Sequence, residues 1–218
     1  MKVKAIFLFI LIGLFFSAQN AEANQWGIYF DYIPFASNTG IRQLNTFAKN
    51  NGGTAIPSVT GYSFGIVISE EAWEDAIAYT NTSGKGTVIK QSATSPSSFS
   101  YSSGSVDFIF TRELTSIHGN PGLFDLQLFL PLEISIGVMS STFLSDAPPT
   151  KSLSLPLSTG LKLRTYFSEN FAVDITALGH LDPFGGTNSA GWTNSAGTQS
   201  VAPSMTGWDI RAGLVYVF

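Results

Sequence analysis

Residues 124–138 read Phe-Asp-Leu-Gln-Leu-Phe-Leu-Pro-Leu-Glu-Ile-Ser-Ile-Gly-Val. The even positions, from Phe124 through Leu126, Leu128, Leu130, Leu132, Ile134 and Ile136 to Val138, are apolar without exception. The odd positions hold Asp125, Gln127, Phe129, Pro131, Glu133, Ser135 and Gly137. Successive side chains of a strand point to opposite faces, so a strict period of two marks a strand lying between two different media.

The same alternation recurs on both sides of this stretch. In 153–167, Leu153, Leu155, Leu157, Leu161, Leu163 and Phe167 oppose Ser154, Pro156, Ser158, Gly160, Lys162 and Arg164. In 171–178, Phe171, Val173 and Ile175 oppose Asp174 and Thr176, and in 208–218, Trp208, Ile210, Leu214, Tyr216 and Phe218 oppose Asp209, Arg211 and Gly213. Earlier segments at 26–32, 59–69 and 104–112 repeat it. Together these predict seven strands. An eighth is expected over Ala72 to Thr80 with Trp73, Ile77 and Tyr79 on one face, although the same residues also read as a short amphipathic helix.

Connections alternate in length. Ala36 to Pro57, Asn81 to Ser103, Met139 to Lys151 and Leu181 to Thr206 are long and rich in Ser, Thr, Asn and Gly, and the last contains a near-repeat at 187–191 and 193–197. Glu70-Glu71 and Ser168-Glu169-Asn170 are tight, and Leu114 to Gly122 is moderate, with an Asn-Pro-Gly turn. Short turns at one end and long loops at the other describe an antiparallel up-and-down barrel.

The 218-residue chain begins with a different pattern. Lys2 and Lys4 precede an apolar run from Ala5 to Phe16, and Ala21-Glu22-Ala23 is a small-residue cleavage site. Residues 1–23 are therefore expected to be a signal peptide cut between Ala23 and Asn24, leaving 24–218 as one domain. Cleavage takes two lysines and one glutamate from a chain of net charge −4, giving about −5, which excludes a nucleic-acid partner that would want a basic patch. There is no cysteine, so disulfides, thiolate metal sites and a lipid-modified N-terminus are excluded. Charged residues are only 12% of the chain, where a soluble domain carries about 25%. A soluble barrel would place its charges on the face opposite the apolar one. Here that face is Gly, Ser, Thr and a few ions of both signs, which suits the packed interior of a narrow barrel, so the apolar face is expected to meet lipid.

The signal sequence, alternating strands, alternating loops and last strand Trp208–Phe218, ending in a Phe with Tyr216 two positions before it, resemble the small outer-membrane barrels of the OmpA and OmpX type. The resemblance implies an all-β transmembrane barrel of about eight strands in the cell outer membrane. It also implies outer-membrane lipid as surroundings and a C-terminal signal, Tyr216 and Phe218, for the barrel-assembly machinery. It carries no functional residue.

On the inward face, a tight turn pairing Phe167 with Phe171 sets Arg164 across from Asp174, and an ion pair is expected there. Lys162 is expected to reach Asp125 on the preceding strand. Pro131 and Pro156 share the inward parity of neighbouring strands, so a bulge or local gap is expected, one that a greasy ligand could use as a lateral opening. For chemistry, His180 with Asp182 two residues on is half of a hydrolytic constellation, whereas His118 falls in a turn. No glycine-rich phosphate loop, zinc-protease or serine-hydrolase motif occurs, and neither cofactor nor metal is expected. Three roles stay open: a structural or surface-interaction protein with an extracellular partner for its long loops, a narrow conduit or carrier for small or hydrophobic molecules, and a lipid-directed hydrolase using His180. The first is preferred by elimination, without an enzyme activity.

Overall fold

In a computed structural model of the chain, the described residues are 25–50, 52–70, 72–89, 96–118, 125–142, 150–185, 192–193, 200–201 and 204–218. The signal segment with its Ala23–Asn24 junction and the near-repeat at 187–191 lie outside them.

The central alternating stretch is strand β5 (Asp125–Thr142), following β1 (Gln25–Asn38), β2 (Val59–Glu70), β3 (Trp73–Ile89) and β4 (Pro96–His118). It is followed by β6 (Thr150–Ser154), β7 (Leu157–Ser168), β8 (Phe171–Leu181), the two-residue strands β9 (Trp192–Thr193) and β10 (Ser200–Val201), and β11 (Gly207–Val217). One helix, α1 (Thr39–Asn50), lies between β1 and β2. Every strand of the main sheet pairs antiparallel with its neighbours, and β1 joins β11. The sheet thus closes on itself; with β6 and β7 counted as one interrupted strand, it is an eight-stranded barrel. Of the segment Ala72 to Thr80, everything from Trp73 on is strand, with Trp73, Ile77 and Tyr79 all on the exposed face. Among the described residues, no helix is long and apolar enough to cross a membrane.

Proline shapes the ladders as its missing N–H requires. Pairs at 130–131 are absent between Phe129↔Lys162 and Leu132↔Thr159, and pairs at 135–136 are absent between Ile134↔Leu157 and Gly137↔Ser154. The register is the same across both interruptions, so Pro131 and Pro156 produce gaps and not bulges. Bulges occur instead at Pro34 in β1 and near Leu114 in β4. Beyond Pro34 the outward parity of β1 switches to Phe35, whose ring stacks on Trp208 at 4.6 Å.

One of the expected long loops, Asn81 to Ser103, is largely strand, and another, Met139 to Lys151, begins and ends as strand. β3 and β4 continue as a paired hairpin to Ile89↔Pro96, and β5 pairs with β6 up to Ser141↔Thr150, so a tall wall rises at the loop end. A third contains α1. Asn38 caps this helix, its Oδ1 accepting from the Ile41 N–H at 2.9 Å while its Nδ2 donates to the Tyr101 hydroxyl at 2.7 Å. Ile41, Leu44, Phe47 and Ala48 form one apolar stripe, buried with Ile56, Val59, Phe99, Tyr101 and Met139. The helix therefore closes the mouth of the barrel against the inner side of the wall. Asn38→Ala should loosen this cap at a cost of about 1 kcal/mol, read as a lower thermal midpoint of unfolding with the barrel retained.

The apolar face changes sides along the wall. In the lower part of β4, Val106 points out and Asp107 in; in the upper part, Ser102 points out while Phe99 and Tyr101 are buried inside. On β5, Val138 is outward and exposed, and directly above it Met139 is fully buried inward. Below this border the interior is polar and the exterior apolar; above it the order is reversed.

Candidate functional site

The polar interior is organised in two ionic clusters. The first lies toward the short-turn end. The register Arg164↔Asp174 places guanidinium and carboxylate side by side. Arg164 donates from Nε to Asp174 Oδ1 at 2.7 Å and from Nη2 to Oδ2 at 2.8 Å, and from Nη1 to Glu74 across the barrel. Such a bidentate, charge-assisted pair fixes both partners. Phe171 is opposite Ser168 and not Phe167, because a one-residue shift intervenes at Phe167; the two phenyl rings still stand 6.4 Å apart.

Lys162 completes this cluster, and here the expected partner is corrected. Its register neighbour on β5 is Phe129, while Asp125 faces Tyr166. The Lys162 amine lies 2.5 Å from Glu74 and 3.2 Å from Asp174. Phe129, the one large apolar residue on the odd face of β5 below the border, packs inside with the Lys162 amine 5.7 Å and the Arg164 guanidinium 5.3 Å from its ring centre. Aromatic faces attract cations, which accounts for a phenyl ring in a polar interior.

The second cluster lies nearer the loop end. Arg211 donates to Glu133 from Nη1 at 3.0 Å and from Nη2 at 3.2 Å, and to Asp209 from Nε at 3.2 Å. His180 Nε2 is 3.1 Å from Asp209 Oδ2, and its Nδ1 is 2.7 Å from Ser158 Oγ. The carboxylate that orients His180 is thus Asp209. Asp182 is engaged elsewhere: it accepts from the Ser154 hydroxyl and from the Met205 N–H at 3.0 Å, tying the β6–β7 interruption to the start of β11. His118 ends β4 opposite Asp125.

Ser158, His180 and Asp209 form a hydrogen-bonded row with the composition of a hydrolytic triad. Their setting is different. Ser158 is 2% exposed, and the adjoining cavity, about 40 Å³ and lined by Glu133, His180, Asp209 and Arg211 among others, has room for a few waters at about 15 Å³ each. An ester with its chain does not fit, and Asp209 is shared with Arg211. The row can orient water and hold a proton. His180→Ala is expected to lower stability by about 1–3 kcal/mol through the two lost hydrogen bonds, without altering lipid turnover. Unfolding in urea and thin-layer analysis of lipids check the two halves of that statement.

Between the clusters stand Asp31 and Asp107, both buried; Asp107 accepts from the Thr80 hydroxyl at 2.5 Å. Among the described residues, the interior sets the carboxylates of Asp31, Glu74, Asp107, Glu133, Asp174 and Asp209 against Lys162, Arg164, Arg211 and His180. No group of acids and histidines with the geometry of a metal site occurs among the described residues. Sequence reasoning missed Glu74 and the Ser158–His180–Asp209 row. Glu74 was legible, because Trp73, Ile77 and Tyr79 facing outward forces it inward. The row joins three strands far apart in sequence, and no spacing encodes it. No family model matches the chain, and no curated protein matches its sequence.

Proposed function

We propose that the chain is an integral outer-membrane barrel with a structural and surface-interaction role, resembling the small barrels of the OmpA and OmpX type in architecture. The observation that carries this reading is the reversal of the apolar face along β3 to β6. A barrel in water has no reason to show Leu132, Ile136 and Val138 outward at one height and to bury Phe99, Tyr101 and Met139 inward at another. A barrel whose lower part is wrapped in hydrocarbon and whose upper part stands in water has both reasons. Residues 1–23 then act as the export signal. Tyr216 and Phe218, both outward and with rings 5.3 Å apart edge to face, form the C-terminal signal for barrel assembly.

A conduit fits less well. The two clusters and Phe129 fill the bore, and α1 covers the mouth, as an eight-stranded barrel wide enough only for its own side chains would dictate. The upper wall, α1 and the long connections are left as the surface on which an external partner would be met. Outer-membrane fractions run on SDS gels with and without boiling test the reading. A boiling-dependent mobility shift in that fraction is expected, with no standing conductance in planar bilayers. Recovery as a soluble periplasmic protein without the shift contradicts it.

A further inference from the structure

The border where the apolar face changes sides carries a second feature. Reading laterally from β3 to β6, the outward residues at the border are Asn81, Gly104, Val138 and Leu153, joined pair by pair in register. The next outward row up is Ser83, Ser102, Ser140 and Lys151, again in one continuous register. Above Ser83 on the same face stands Lys85, opposite Ser100. Ser83, Lys85 and Lys151 are exposed, and Ser102 and Ser140 partly so. Within about 7 Å along each strand, two residues at ~3.4 Å each, the outer wall passes from apolar belt to a row of hydroxyls flanked by ammonium groups. Lys151 stands three strands from Ser83, about 14 Å at ~4.8 Å per strand, so the row is wide enough to face more than one headgroup.

The surroundings reinforce the sign. Among the described residues, the other exposed cations at this end are Arg42 and Lys49 on α1. The carboxylate among the described residues here is Asp182, which is buried and committed to Ser154 and Met205. The opposite end bears Glu70, Asp75, Glu113, Asp125 and Glu169, with Arg112 lying over the Trp73 ring at 5.2 Å. Among the described residues the barrel is thus charged along its axis, basic at the loop end and acidic at the short turns. A neutral headgroup gains little from this arrangement, whereas hydroxyl donors between two ammonium groups match a phosphate at the depth where lipid phosphates lie.

We propose that the outer face formed by Ser83, Ser102, Ser140, Lys151 and Lys85 is a docking surface for the phosphate groups of anionic lipid headgroups in the leaflet at the loop end. This rests on the membrane reading above. The test uses the full chain folded in detergent micelles doped with bisphosphorylated lipid A or its dephosphorylated form, with retained lipid counted by native mass spectrometry and folding checked by the gel shift. Wild-type protein should prefer the phosphorylated form by about tenfold, and about 0.5 M salt should erode that preference. Lys85→Gln with Lys151→Gln should bring the two forms within about twofold of each other. Lys85→Arg with Lys151→Arg should keep the preference, as should Arg42→Gln with Lys49→Gln, which lie off this face. Equal retention of both forms by folded wild-type protein overturns the proposal, as does a folded Lys85→Gln, Lys151→Gln variant that still discriminates. Should that variant fail to fold, the wild-type comparison of the two lipids and its salt dependence decide the matter. Wild-type protein that neither enters micelles nor shows a gel shift overturns the membrane reading itself, a result distinguishable from loss of lipid preference in an inserted barrel.

Discussion

Replacing Arg164 with methionine is expected to destabilise the barrel by about 3–5 kcal/mol, the largest effect of any single interior substitution toward the short-turn end. Arg164 is 1% exposed, and its guanidinium donates to Asp174 and Glu74 at once. Methionine fills the space but leaves two carboxylates with only Lys162 between them, in a bore that water enters poorly. The cost comes from the stranded charges and not from a lost attraction, which leads to a sharper expectation. Adding Asp174→Asn to Arg164→Met should recover a substantial part of the loss, because one of the stranded charges is removed with it. Urea unfolding of the folded barrel in micelles, followed by the gel shift, measures both variants. Equal stability of Arg164→Met and wild type would mean that the cluster is well hydrated and that the bore is open.

The second large effect lies on the opposite face. Leu132→Arg puts a cation in the middle of the apolar belt, where the side chain is 50% exposed and, in the proposed outer-membrane setting, would have only hydrocarbon to meet. Arginine at mid-depth on the lipid face of a barrel costs about 2–4 kcal/mol, falling to about 0–1 kcal/mol near the interface. Leu153→Arg, in the border row, should therefore be tolerated while Leu132→Arg is not. A water-facing belt would accept both with changes of about 0.5 kcal/mol, as exposed positions on soluble proteins do. The pair of variants separates the two environments by the difference between two heights on one wall.

Much of this architecture was legible in the residues. The uniform even face of β5, repeated in β7, β8 and β11, fixed which residues turn outward, and tight turns at Glu70-Glu71 and Ser168–Asn170 fixed which strands pair. The Arg164↔Asp174 register was legible from parity, although the turn is tighter than expected and the one-residue shift at Phe167 is what restores it. Lys162 was harder, because the offset between β5 and β7 is set across a connection too long to define it. The upper wall was misread as loop for a physical reason. Residues 97–105 are mostly serine, with Phe99 and Tyr101 on the parity that is polar lower down, so one strand carries two opposite alternations that cancel in any single pattern. The helix was hidden in a stretch rich in Asn, Gly and Thr, although Ile41, Leu44, Phe47 and Ala48 follow helical spacing behind the cap Asn38. His180 shows the limit most plainly. The nearest acid in sequence, Asp182, serves a backbone knot, and the acid that meets the imidazole comes from β11.

The absence of cysteine makes the central claim directly measurable. Single cysteines placed in turn at 128–138 of β5 can carry a spin label, and the protein can be folded into lipid bilayers. Labels at Leu128, Leu130, Leu132, Ile134 and Ile136 should collide readily with oxygen dissolved in the bilayer and hardly with a water-soluble nickel chelate. Labels at Glu133 and Ser135 should be shielded from both. That period of two, in phase with the even residues, is what a lipid-facing belt around a packed ionic interior predicts. Labels at the even positions that are shielded, or that meet the aqueous reagent, would contradict it.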